Sequence, residues 1–246
     1  MTPPEIPPGW DLAPPDFVGV GTMRSGTTWW WRVLCSHPNV VLADSQLKEL
    51  HFFDHYGQVE EFDPALYHRY FPRSSGSIVG EWTPLYMHNF WTPPMLHSAA
   101  PDTKLLVLLR DPIERFISGL AHYERFGFNL DVVLVGHQFS RGLYWLQLQT
   151  LLAYFPREQI LVQQYERCVA DPVGEARRTF CFLGLDPGAW QPSERTKSAA
   201  NSTPRDKPVL SPATRDALRY AYQADLVQLL ADFPEVDGAL WHTVIR

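Results

Sequence analysis

Gly21-Thr22-Met23-Arg24-Ser25-Gly26-Thr27-Thr28 is the stretch whose reading decides the fold. It follows the short apolar run Phe17-Val18-Gly19-Val20. It leads into a helix-compatible segment, Thr27 to Ser36, that His37-Pro38 closes. A strand, a glycine-bounded loop and a helix in that order aim backbone N–H groups and the positive end of a helix dipole at one anion-sized volume. The spacing G-x-x-x-x-G is that of a phosphate-binding P-loop. The lysine that follows the second glycine in nucleoside-triphosphate enzymes is Thr27 here, and the base stands inside the loop, at Arg24.

A second strand-to-helix unit begins at Lys104. Leu105-Leu106-Val107-Leu108-Leu109 reads as a strand buried on both faces, Arg110-Asp111 ends it, and Pro112 suits the first turn of a helix. Ile113, Phe116, Ile117, Leu120 and Tyr123 then recur at helical spacing. Further on, the amphipathic stretch Leu143–Phe155 precedes the apolar Ile160-Leu161-Val162. A helix over Asp171–Leu183 stops at Gly184, and a last helix over Ser211–Leu230 has Ser211 as its cap. This alternation predicts an α/β protein, a P-loop-like three-layer sandwich with a central, mostly parallel sheet flanked by helices. Ligands are expected at the carboxyl ends of the strands, where both Gly21–Thr28 and Arg110-Asp111 fall.

The chain of 246 residues suits one α/β domain. Residues 1–15 hold six of the 22 prolines and read as an extended arm on the surface or a loose one, leaving 16–246 as the single domain. Lys+Arg 21 against Asp+Glu 27 gives a net charge of −6, so neither nucleic acid nor an anionic membrane is an expected partner, and any anion must meet clustered bases. Cys35, Cys168 and Cys181 are widely spaced, with no C-x-x-C pair, and read as reduced thiols. The N-terminus lacks a basic start and an apolar core of the secretory type, and no stretch approaches the roughly 20 apolar residues of a membrane span. A cytoplasmic location is the expectation.

Thr22-Met23-Arg24-Ser25-Gly26-Thr27-Thr28-Trp29 resembles the 5′-phosphosulfate loop of sulfotransferases that use 3′-phosphoadenosine-5′-phosphosulfate (PAPS). Arg110-Asp111-Pro112-Ile113-Glu114-Arg115-Phe116-Ile117-Ser118-Gly119 resembles that family's 3′-phosphate motif. Lys48-Glu49-Leu50-His51-Phe52-Phe53-Asp54, Ser140-Arg141-Gly142-Leu143-Tyr144 and Phe182-Leu183-Gly184-Leu185 are similar to segments of the branch containing heparan sulfate sulfotransferases.

The resemblance implies roles. The amides of Gly26 and the loop, with Ser25, Thr27 and Thr28, would hold the 5′-phosphate, and Trp29 would contact the adenine. Arg110 and Ser118 would share the 3′-phosphate, and Arg205 and Lys207 of a late basic loop would complete the donor site. PAPS would serve as co-substrate and leave as adenosine 3′,5′-bisphosphate, with no metal. Glu49 would be the general base, Arg24 would stabilise the leaving group and Lys48 would contact the sulfuryl group. An arginine holds a permanent forked charge but is a poor proton donor.

Glu81-Trp82-Thr83-Pro84-Leu85-Tyr86 resembles an acceptor-cleft segment. Glu81, Trp82, Tyr86 and His51 are therefore expected to face the acceptor, with Glu81 a reserve base. Trp82 replaces a lysine common in glycosaminoglycan enzymes, which argues for a small-molecule, lipid or simple carbohydrate acceptor over a highly sulfated polymer. Two rival readings are weaker: a P-loop kinase or NTPase, which lacks its lysine and its magnesium carboxylate, and a nucleotide-binding protein without catalysis. His51, Asp54 and His55 fit no zinc spacing, so no metal site is assigned.

Overall fold

The computed structural model describes residues 3–41, 48–54, 62–197 and 208–244. The segment with Arg205 and Lys207 therefore lies outside the described residues. In chain order, β1 (Asp11–Leu12) and β2 (Phe17–Gly21) are followed by α1 (Thr27–Leu34). Next come α2 (Pro64–His68), β3 (Pro72–Arg73), β4 (Gly80–Trp82) and α3 (Thr92–Ala99). The second half contains β5 (Lys104–Leu109), α4 (Pro112–Arg125), α5 (Val132–Ser140), α6 (Tyr144–Leu152) and β6 (Ile160–Gln164). Helices α7 (Tyr165–Ala170), α8 (Pro172–Leu183), α9 (Glu194–Lys197) and α10 (Pro212–Asp232) follow.

The central sheet has the order β4-β2-β5-β6 with every pairing parallel, and helices flank it in a P-loop-like α/β fold. Every residue of β2 and β6 is buried, as is all of β5 except Lys104, which is why these strands read as apolar runs. Gly19 has a specific reason for being glycine. The Trp82 indole lies across β2, where a Cβ at residue 19 would come within 2.1 Å of the ring. The indole N–H donates to the Gly21 carbonyl at 3.3 Å.

Helix ends follow their sequence signals. Asp111 caps α4 by accepting from the Ile113 and Glu114 amides at 3.0 and 3.1 Å, and Ser211 caps α10 by accepting from Thr214. Gly184 ends α8 in the left-handed region at φ 82°. The proline-rich arm is tied down at its end: β1 pairs antiparallel with β3, and Arg73 donates to the Ala13 carbonyl at 3.0 Å and ion-pairs with Asp16. No helix among the described residues is long and apolar enough to cross a membrane.

Candidate active site

Both strand-to-helix turns lie at the carboxyl ends of the two central strands, β2 and β5. The Thr22 amide and hydroxyl both donate to the Leu108 carbonyl, at 3.1 and 3.0 Å, which stitches the first turn to β5. Gly26 adopts φ 90° at the start of α1, and a Cβ there would sit 2.8 Å from the Tyr165 ring, so the position requires glycine twice over. Unlike α4, which has Asp111 as its cap and Glu114 in its first turn, α1 has no side chain capping its N-terminus and no acidic residue in its first turn. The positive end of its dipole is left for an anion.

Arg24 joins the two turns. Its Nε donates to Ser118 Oγ at 3.2 Å, its Nη1 lies 3.2 Å from His122 Nδ1, and its carbonyl accepts from Arg110 at 3.2 Å. Arg110 also stacks over the Tyr165 ring, 5.0 Å from its centroid. Arg24, Arg110 and Ser118, expected to work on one donor, are thus in direct contact. Ser25 is turned inward: its hydroxyl meets that of Thr22 at 2.5 Å, its amide donates to the Thr22 carbonyl at 3.2 Å, and it is fully buried. Trp29 is buried, donates its indole N–H to the Thr196 carbonyl at 3.0 Å and stands edge-on to Tyr165. Trp30 and Trp31 are core residues.

The segment with Lys48 and Glu49 lies against the free edge of β4. Lys48 bridges Trp82 in parallel register, and the Glu49 amide donates to the Trp82 carbonyl at 2.9 Å. The half-exposed Glu49 carboxylate pairs with Lys48 Nζ through one oxygen and with His51 Nε2, at 3.2 Å, through the other. Burial acts to raise its pKa, but the His51 hydrogen bond and the Lys48 charge outweigh that, leaving the carboxyl below its ordinary value. His51 in turn meets Asp54 Oδ2 at 2.5 Å through Nδ1. Hydrogen bonds to Asp54 and then Glu49 push the imidazole up to about 10, so it is a cation at neutral pH. His122 is the opposite case: burial and then the Arg24 charge hold it below its usual value, with Glu49 acting against them. Among the described residues, the non-glycine residues in the left-handed region are Arg24 at φ 71°, Glu49 at 66° and His51 at 54°, all within these two loops. Such strain persists only where surrounding structure imposes it, as at functional sites.

The expected acceptor-facing group separates. His51 stays at the site, but Glu81, Trp82 and Tyr86 are fully buried. Trp82 is packed over Gly19, so it meets no acceptor, and the argument from its identity against a sulfated polymer loses its footing. Glu81 accepts from Tyr67 Oη at 2.7 Å and from Thr83 Oγ1 at 2.6 Å, and its carboxylate has no path to an acceptor hydroxyl. The three support the segment with Lys48, Glu49 and His51 from beneath instead. Thr83 Oγ1 accepts from the His51 amide at 3.1 Å, and Tyr86 Oη accepts from the Phe52 amide at 2.8 Å. Sequence reading missed Asp54 as the partner of His51, although a His–Asp pair three residues apart was its visible signal. It also missed His122, one turn beyond Ser118 on the same face of α4.

Residues 14–214 match the sulfotransferase domain family. The chain belongs to this family. Human heparan sulfate glucosamine 3-O-sulfotransferase 6 is 35% identical over 185 residues, covering 70% of this chain and 52% of that protein. Mouse heparan sulfate glucosamine 3-O-sulfotransferase 3B1 is 34% identical over 189 residues, covering 70% of this chain and 46% of that protein. The chain thus spans about half the length of the curated relatives it matches. Among solved structures, a sulfotransferase from Alicyclobacillus acidocaldarius superposes with a TM-score of 0.75 at 25% identity, covering 93% of this chain and 99% of that one. The sulfotransferase domain of the curacin biosynthetic pathway, at 13% identity and a TM-score of 0.54, shares the fold.

Proposed function

We propose that this sulfotransferase moves the sulfuryl group of PAPS onto a hydroxyl, or an amine, by in-line displacement, with Glu49 as general base. The observation that carries the reading is the meeting of the two strand-to-helix turns: Arg24 of the first touches Ser118 and His122 of α4, and its carbonyl accepts from Arg110 of the second. The uncapped start of α1 suits the 5′-phosphate, and Arg110 with Ser118 suits a 3′-phosphate, which ATP lacks. In the transfer, the acceptor oxygen attacks sulfur as the bond from sulfur to the bridging oxygen breaks. The electron pair leaves on the 5′-phosphate beside the Arg24 guanidinium, and the acceptor proton passes to Glu49. Positioning and fixed charge supply most of such a rate enhancement. The depressed Glu49 carboxyl is ionised at neutral pH, and His51, held by Asp54, fixes its orientation.

Calorimetric titration with adenosine 3′,5′-bisphosphate, and in parallel with magnesium-ATP, tests the donor. Tight bisphosphate binding that Arg110→Ala and Ser118→Ala both weaken is expected, and preference for magnesium-ATP would sink the reading. Glu49→Gln should keep bisphosphate affinity and lose roughly 10²- to 10⁴-fold in transfer from radiolabelled PAPS to a panel of hydroxyl acceptors.

A further inference from the structure

The chain from the end of α4 to the first turn of α5 presents apolar side chains to solvent: Phe126 is 61% exposed, Phe128 58%, Val132 85% and Val133 60%. A face of this kind marks a contact site on a protein of this size. It connects to the transfer site by two short paths. The Phe126 ring lies 5.0 Å from the ring of His122, whose Nδ1 is 3.2 Å from Arg24. The Phe128 ring lies 5.5 Å from that of Tyr123, whose hydroxyl accepts from Arg141 at 3.2 Å, and the same Arg141 nitrogen reaches Met23 Sδ at 3.3 Å. Each phenylalanine is therefore joined to a residue of the phosphate turn. An acceptor that approaches Arg24 therefore comes near the Phe126 ring, one residue away through His122.

From this continuity we infer that the acceptor is amphipathic, a hydroxyl compound with an aliphatic chain that lies along Phe126, Phe128, Val132 and Val133. The inference rests on the sulfotransfer reading and names its acceptor class. The charge pattern selects this occupant. Residues 123–134 contain one basic side chain, Arg125, against Glu124 and Asp131, and Arg125 already lies over the Phe126 ring at 5.8 Å. An anionic polysaccharide would find no excess of positive charge along the apolar segment itself, whose further cations, Arg24 and Arg141, stand only at its inner end beside His122 and Tyr123. A bilayer surface would be met by basic residues around the apolar ones, and this segment lacks them.

The test uses n-alkyl glucosides of increasing chain length, kept below micelle formation and titrated calorimetrically into the full chain with and without adenosine 3′,5′-bisphosphate. A buried methylene is worth about 0.8 kcal/mol, so affinity should rise roughly threefold to fourfold per methylene. Two surface variants, Phe126→Ser with Phe128→Ser and Val132→Ser with Val133→Ser, should each flatten that rise and cost tenfold or more for the octyl compound. Bisphosphate affinity should not change. Binding independent of chain length, or a rise that survives both double variants, overturns the inference. So does a result in which phosphatidylcholine vesicles retain the wild type but not the variants while the monomeric glucosides show no chain-length dependence, since the face then docks on a bilayer. Failure of the bisphosphate to bind the wild type counts against the donor reading instead, and the titrations without nucleotide still decide this one.

Discussion

Glu81→Gln offers a test of the support beneath the segment with Glu49 and His51 that needs no substrate. Burial pushes the Glu81 carboxyl from 4.5 up to about 7, and the hydrogen bonds from Thr83, Tyr67 and Tyr86 only partly pull it back. In the unfolded chain the same group ionises near 4.5. Between these values the unfolded chain has released a proton that the folded chain keeps, so unfolding becomes easier as the pH rises. The proton-linked stability is complete below about 4.5 and gone above about 7. At about 1.4 kcal/mol for each tenfold change in proton affinity, it amounts to about 3 kcal/mol. Glutamine cannot titrate, so the variant lacks this slope whatever constant offset its amide introduces. Urea unfolding of both proteins across this pH window should show the wild type losing about 3 kcal/mol relative to the variant. At slopes of about 1–3 kcal/mol per molar urea, the midpoints should move relative to each other by about a molar or more. A difference that stays flat across the window, or that grows in favour of the wild type, refutes the reasoning.

Gly26→Ala places a Cβ 2.8 Å from the Tyr165 ring at a backbone φ of 90°, and should cost about 1–3 kcal/mol in urea unfolding while weakening bisphosphate binding in calorimetry. Asp54→Asn removes the first cause of the high His51 value, so the imidazole titration followed by NMR should fall from about 10 toward 6.5. The stability that His51 contributes in the wild type is complete below 6.5 and lost as the pH rises through about 10, and the variant should lose it at lower pH. Asp111→Ala strips the cap from α4 and releases the Thr243 amide and hydroxyl that donate to the same carboxylate at 2.9 and 2.6 Å. A loss of about 2–4 kcal/mol in chemical denaturation is expected.

The strands and helices around the two strand-to-helix turns were legible because each carries a local signal. Phe17–Gly21 and Leu105–Leu109 are apolar without interruption, Pro112 and Ser211 mark helix starts, and Gly184 marks a stop. The strand β4 was not legible. Gly80-Glu81-Trp82 has three residues, a carboxylate in the middle and a tryptophan buried against a glycine of another strand, so no period appears within it. Trp82 was expected at the acceptor from family resemblance alone, and the pairing of β4 beside β2 is what turns its indole inward over Gly19. Helix α5 was passed over because Val132-Val133-Leu134-Val135 lacks the polar face of an amphipathic helix, and its first turn remains in water. At the site, residue types and motif spacing pointed to Arg24, Glu49, Arg110 and Ser118. That Arg24 reaches Ser118 and His122 was invisible, because it depends on two turns meeting across the sheet.

The strand order bears on how the protein reaches its native state. Each neighbour in β4-β2-β5-β6 is distant in the chain, and residues 17–21 must find residues 104–109 before the pair of turns at their ends exists. Closing such long loops precedes any reward from the contacts they make, so the sheet assembles late and slowly compared with a helical bundle of similar length. A nucleotide that bridges both turns, as proposed, would bind only the assembled chain. At a hundredfold excess over its dissociation constant it deepens the native basin by about 2.7 kcal/mol, so refolding yield should depend on the nucleotide supplied.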